Sequence, residues 1–139
     1  MADTIRMMDY YYTMVPDKPG EGARLLGALR DARVNLLAFS AFPSQRKAQA
    51  DFVPADAAAF LAAAKAAKLK LKGPKKVFLI EGDDRVGALA ETYRKLGAAK
   101  VNVTAVDAVC SGMGRFGALL WVKPRDLKKA AAALGVMMM

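Results

Sequence analysis

Residues 17–41 read DKPGEGARLLGALRDARVNLLAFSA, and residues 84–108 read DRVGALAETYRKLGAAKVNVTAVDA. Laid one on the other, the two stretches keep a single register, 67 residues apart, without a gap. Asp17 falls on Asp84, Lys18 on Arg85, Gly20 on Gly87, Leu29 on Leu96, Ala32 on Ala99 and Arg33 on Lys100. Val34, Asn35, Leu36, Ala38 and Ala41 fall on Val101, Asn102, Val103, Ala105 and Ala108. A register held this long is an internal duplication, and it sets the domain count before any single residue is interpreted. It divides the chain into residues 6–72 and 73–139, with a five-residue lead and the turn pair Gly73-Pro74 at the junction.

Outward from the repeat, each copy reads in the same order. Tyr10 to Val15 and Val77 to Gly82 are β-branched and aromatic runs that predict first strands. Helices follow, with stripes of Leu25, Leu26 and Leu29 in one copy and Leu89, Tyr93 and Leu96 in the other, ending near Arg33 and Lys100. Val34 to Phe42 and Val101 to Cys110 are second strands, closed by turns at Pro43–Arg46 and Ser111–Gly114. Third strands run over Ala48–Val53 and Phe116–Val122, second helices open near Asp56 and Pro124, and last strands fall at Leu69–Lys72 and Val136–Met139.

This order predicts an α+β chain of two tandem ferredoxin-like βαββαβ sandwiches, each an antiparallel four-stranded sheet with two helices on one face. In strand order 4-1-3-2 the second strand is an edge. Both second strands are apolar and contain no lysine, so each is an aggregation hazard unless it pairs with another. The sheets are therefore expected to join edge to edge through their second strands, within the chain or across a homodimer.

Composition narrows the chemistry. Of 139 residues, 55% are hydrophobic and 25% charged, which is globular material, but there is no His and only one Cys. A Ser-His-Asp triad, a Cys-His dyad, a His-ligated or multi-cysteine zinc site and a disulfide framework all lack their parts. No catalytic residue, metal or cofactor is assigned, and the chain is read as a non-enzyme. The lone Cys110 reads as a small buried hydrophobe in a reducing, cytoplasmic compartment. No apolar run approaches membrane-spanning length, and no secretory pattern stands at the N-terminus. Of the net charge of +9, six lysines (Lys65, Lys68, Lys70, Lys72, Lys75 and Lys76) fall within twelve residues, which reads as protection of an exposed strand edge.

The repeated turn between first strand and first helix is the candidate site. Asp17 and Asp84 offer carboxylate acceptors, Gly20 and Gly87 free the backbone, and the following helix start presents unpaired N–H groups suited to a carboxylate. Taken alone, Asp17 is better accounted for by a turn or N-cap role, and Asn35 and Asn102 fit helix-to-strand junctions. In this topology the Asn at the head of the second strand is placed near the same end of the sheet as the turn.

Asp17-Lys18-Pro19-Gly20 followed by Arg33-Val34-Asn35-Leu36 resembles the signature of the ACT domain, an Asp-x-Pro-Gly turn before a helix and an Ile/Val-Asn-Ile/Val strand start. Asp84-Arg85-Val86-Gly87 and Lys100-Val101-Asn102-Val103 repeat it, with Val86 in place of proline. The resemblance covers nearly the whole chain as two ACT units in tandem. It implies a regulatory, allosteric module of the kind attached to aspartate kinase and phosphoglycerate dehydrogenase, with an amino-acid effector and a target enzyme as partners. The effector would lie between two units, held by the first loop of one and the second-strand start of the other. Carried over by position, that nominates Asp17, Lys18, Gly20, Glu21, Asn35 and Leu36, with Asp84, Arg85, Gly87, Asn102 and Val103. Two other readings stay open: a ligand-free interaction module, and an RNA-binding module on the same fold, for which Phe78 and Phe116 would be the stacking rings. Nucleic acid is the weaker reading, because Ala118 stands where a further exposed aromatic is wanted.

Overall fold

The structure, a computed structural model, describes Asp3–Met137. Its elements are β1 (Thr4–Pro16), α1 (Glu21–Asp31), β2 (Leu36–Ser44), β3 (Lys47–Pro54), α2 (Ala57–Ala66), β4 (Lys72–Asp83), α3 (Ala90–Ala98), β5 (Ala105–Gly112), β6 (Arg115–Trp121) and α4 (Leu127–Leu134), with a 3₁₀ turn at Pro124–Asp126 before α4. The chain divides into two compact units, Asp9–Lys75 and Met1–Met8 with Lys76–Met139. The repeat placed the boundaries at 6–72 and 73–139. The difference lies in two long strands: β1 and β4 each run past the point where one unit ends.

In the first unit, β3 is flanked by β2 and β1, and the opening residues of β4 lie beside β1. Its core is built by alternation, with Tyr11, Thr13 and Val15 of β1 and Ala50 and Phe52 of β3 buried toward the helices. Leu25 and Leu29 of α1 and Phe60 of α2 close that core, one helical turn apart where they share a helix. Leu26, counted in the apolar stripe, is 38% exposed. Phe52 sits at the centre, its ring 5.3 Å from Phe39 and 5.3 Å from Phe60. Asp56 caps α2, its carboxylate accepting from the Ala59 N–H at 3.2 Å.

In the second unit, β6 is flanked by β5 and β4, and the start of β1 lies on the other side of β4. Phe78, Ile80, Phe116, Ala118 and Leu120 bury the helix-facing side against Leu96, Ala130, Ala131 and Leu134. On α3 the buried pair is Thr92 and Leu96, and Tyr93 of the predicted stripe is 42% exposed. The fourth strand of this unit is Thr4–Met8, with Ile5 and Met7 packed on the core. The strand expected at Val136–Met139 is not formed at Val136 and Met137, and Met138 and Met139 lie outside the described residues. Its place beside β4 is taken by the N-terminal residues, and Gly135, at φ 72°, turns the chain off α4 with the Val136 N–H on the Ala131 carbonyl.

Arg33, Lys68 and Lys100 end their helices in the left-handed conformation, at φ 60°, 59° and 60°. In each, the next residue's N–H reaches back five positions, Val34 to Leu29, Leu69 to Ala64 and Val101 to Leu96. The recurring cation thus marks a structural turn that begins the next strand. Gly73-Pro74, expected as a turn, lies inside β4, because Gly73 at φ 115° lets that strand pass against the Tyr10 carbonyl.

Asp51 is a buried carboxylate in β3, 4% exposed, accepting from Gln49 Nε2 at 2.9 Å. Burial pushes its carboxyl above the ordinary value of 3.8, against the pull of Gln49 and Lys75. A raised folded value means the folded state holds the proton more tightly. Its stabilisation is complete below the unfolded value and is lost as pH rises through the folded one. Asp51→Asn, which still accepts from Gln49, is expected to raise the melting midpoint at pH 7. That gain should vanish in melts taken below the ordinary carboxylate value of 3.8.

Candidate functional site

The first unit's loop leaves β1 at Pro16, where the Lys18 N–H turns back to the Pro16 carbonyl at 3.0 Å. Gly20 forms the helix N-cap at φ 94°, a left-handed conformation that a β-carbon disfavours, although nothing lies within 4 Å of where one would stand. Its glycine is therefore explained by backbone shape. Asp17 is exposed and does not cap α1. Glu21 is the better-held carboxylate, paired with Arg24 at 2.8 Å and with Lys18 Nζ at 4.0 Å. The loop thus offers an exposed carboxylate, an exposed ammonium and the start of an eleven-residue helix.

The second unit's loop is more tightly tied. The Asp84 N–H donates to the Gly114 carbonyl at 2.8 Å, and the Cys110 thiol donates to Asp84 Oδ1 at 3.1 Å. Arg85 reaches both oxygens of Asp3, at 3.0 and 3.1 Å, and also the carbonyls of Asp83 and Ala88. Gly87 is left-handed at φ 69°, and α3 begins only at Ala90, two residues later than the matching helix of the first unit. Arg115 donates to Asp83 and holds that carboxyl below its usual range.

Cys110 is exposed, because β5 is an edge strand, and the expectation of a buried thiol is overturned. The Asp84 hydrogen bond, then burial, push its pKa above the ordinary 9.0. A thiol held protonated is a poor nucleophile. Asp84→Ala is expected to speed reaction of Cys110 with a disulfide reagent at pH 8 several-fold; an unchanged rate would show that the carboxylate does not restrain the thiol.

Asn35 and Leu36 do not meet the loop of their own unit. Pro16 pairs with Lys47 at one end of β3, while Leu36 pairs with Pro54 at the other. Seven residue steps of strand separate them, about 23 Å at the usual rise. The second unit repeats this, with Asp83 opposite Arg115 and Ala105 opposite Trp121. The expectation that turn and Asn share one end of the sheet is therefore wrong, because α1 and α3 carry the chain back along the sheet before the next strand starts. Asn35 and Asn102 are exposed, the Asn35 carbonyl accepts from the Ala55 N–H, and Leu36 and Val103 are packed against their units' cores.

β2 has β3 as its one neighbour among the described strands, and β5 has β6. Each second strand thus has one side without a strand partner among the described residues. Leu37, Phe39 and Phe42 of β2 are each about two-fifths exposed and Val109 of β5 is 66% exposed. The clustered lysines lie on neither edge, so the edge protection read from them does not reach the strands that are open. Lys72 and Lys75 instead stand over the Tyr12 ring at 6.0 and 5.2 Å. Phe52, Phe78 and Phe116 are buried toward the helices, so none is a stacking platform for bases.

Among the described residues no group of His, Cys, Asp and Glu is placed to hold a metal, and no helix is long and apolar enough to cross a membrane. Asp3 and Cys110 are the contacts that the repeat did not indicate. Asp3 lies in the five-residue lead, and the alternating run after it was the available signal that this lead is a strand.

No protein-family model matches the sequence, and no curated protein matches it. Solved structures do. Protein BT0572 from Bacteroides thetaiotaomicron matches with a TM-score of 0.80 at 15% identity, over 94% of this chain and 88% of that one. The aspartokinase alpha and beta subunits match at TM-score 0.62 and 18% identity, over 96% and 95% of the two chains. The ligand-free regulatory subunit of aspartate kinase from Thermus thermophilus matches at 0.63 and 14%, over 97% and 96%. At these identities the likeness is one of fold, and the fold is one that regulatory subunits use.

Proposed function

We propose that the chain is a non-catalytic regulatory module of the ACT type that binds an amino-acid effector between two copies. Antiparallel pairing of β2 with the β2 of a second copy would place the Ser44 end of one strand beside the Leu36 end of the other. That brings Asp17, Lys18, Gly20 and Glu21 of one copy to Asn35 and Leu36 of its mate. Asp84, Arg85, Gly87, Asn102 and Val103 are the corresponding set on the β5 edge. The observation that carries this reading is the separation of loop and Asn at opposite ends of one sheet: a single unit does not unite them, and edge pairing does. The exposed apolar side chains of β2 give that edge a reason to be covered. A regulatory role implies a target enzyme, and the likeness to aspartate kinase regulatory subunits supports one.

The test has two parts. Light scattering on the purified chain should give about twice its 14.9 kDa. A thermal-shift screen of the twenty amino acids and a short RNA should show a rise with one amino acid or a close group of them, since a ligand of the native state raises the midpoint by mass action. A monomer with no amino-acid response contradicts the proposal. A response to RNA alone would replace it with the nucleic-acid reading.

A further inference from the structure

We propose that the second unit contains a carboxylate-binding cradle, formed by Arg85, Gly82 and the Phe116 ring, which the chain fills with its own Asp3. The two guanidinium nitrogens of Arg85 take the two oxygens of Asp3 separately, the fork-on-fork geometry by which arginine recognises a carboxylate. The Asp3 side chain is only 12% exposed, whereas that of Arg85 is 43% exposed. The guanidinium is aimed by its further bonds to the carbonyls of Asp83 and Ala88 and lies 5.9 Å from the Phe116 ring centroid.

Gly82 makes the room. A β-carbon there would stand 2.0 Å from Asp3 Oδ1 and 2.8 Å from Phe116 Cε1, so only glycine admits the carboxylate. The first unit has no such arrangement. Lys18, which matches Arg85 in the repeat, has a side chain 65% exposed with its nearest acid, Glu21, at 4.0 Å. The duplicated loops have thus diverged into one open to solvent and one occupied from within. Because Asp3 is tethered, it competes with a free carboxylate at an effective concentration of roughly millimolar or more. This inference rests on the second unit alone and stands whether or not the open loop takes an effector.

Asp3→Ala should empty the cradle. In the full-length variant, sodium acetate should raise the melting midpoint above that in sodium chloride at equal ionic strength, up to about 0.5 M, where general screening is the same in both. Wild type, whose cradle is filled, and Asp3→Ala/Arg85→Met, whose guanidinium is gone, should show only the smaller difference that the two anions produce on any folded protein, the same in both. If Asp3→Ala does not fold in chloride, recovery of the fold in acetate is the supporting result. A difference between acetate and chloride for Asp3→Ala no larger than that of wild type, or an equal difference in the double variant, overturns the proposal.

Discussion

Phe52→Ala is expected to destabilise the chain by about 3–5 kcal/mol, the usual cost of removing a fully buried aromatic ring. Phe52 is 0% exposed and touches an aromatic neighbour on each side, Phe39 from β2 and Phe60 from α2. Its removal leaves a cavity bordered by rings on two different elements, β2 and α2. The loss should appear in urea melts as a lower midpoint with little change in slope, since the surface exposed on unfolding is nearly the same. Phe52→Leu, which keeps much of the volume, should cost less than half as much. The consequence reaches the edge as well, because Phe39 is the β2 residue that this ring supports.

Gly73→Ala is expected to cost about 2–4 kcal/mol through two effects acting together, backbone strain and overpacking. Gly73 sits at φ 115°, where an L side chain is strained. An added β-carbon would also lie 2.9 Å from the Tyr10 carbonyl oxygen and 3.4 Å from the Tyr11 Cα, backbone atoms that a rotamer change does not move. A control at Gly22, with nothing within 4 Å and an ordinary φ, should be neutral or slightly stabilising in the same melts. A Gly73→Ala protein as stable as wild type would mean that β4 does not pass β1 as described.

The contrast between those two positions shows what was legible in the sequence. Phe52 lies in the run Ala48–Val53, which reads as a strand from its local composition, and the strand is there, buried on both faces at Asp51, Phe52 and Val53. Gly73-Pro74 reads locally as a turn. Its actual role depends on the neighbouring strand, whose closeness no local pattern records. The same limit explains the N-terminal lead. Repeat alignment assigns each unit a fourth strand from its own C-terminal end, yet in the second unit that place belongs to Thr4–Met8, which start in the unaligned lead and run into the first copy. Strand pairing is a competition among segments distant in sequence, and the duplicated register carries no information about which segment wins.

The candidate site divides in the same way. Gly20 and Gly87 were readable because a left-handed residue at the turn is a local requirement, met in both units. That Arg85 is engaged by Asp3 while Lys18 stays in solvent was not readable, since it follows from the unaligned lead. The distance from each loop to its own Asn was misjudged for a geometric reason. In a β-α-β step the helix returns the chain to the end of the sheet where the first strand began, so loop and strand start lie apart. That correction turns edge pairing from a guard against aggregation into the step that assembles the proposed site.

The most direct test of that assembly uses two variants, Asp17→Ala and Asn35→Ala, with the amino acid that raises the wild-type midpoint. Each variant alone should lose binding at the β2-edge sites, because each of those sites in its dimers lacks one half. Unfolded together in equal amounts and refolded, half of the dimers are mixed and each mixed dimer has one intact site, so about a quarter of wild-type binding at those sites should return in calorimetry. Binding that stays absent in the mixture, or that persists undiminished in either variant alone, contradicts a site shared between two copies.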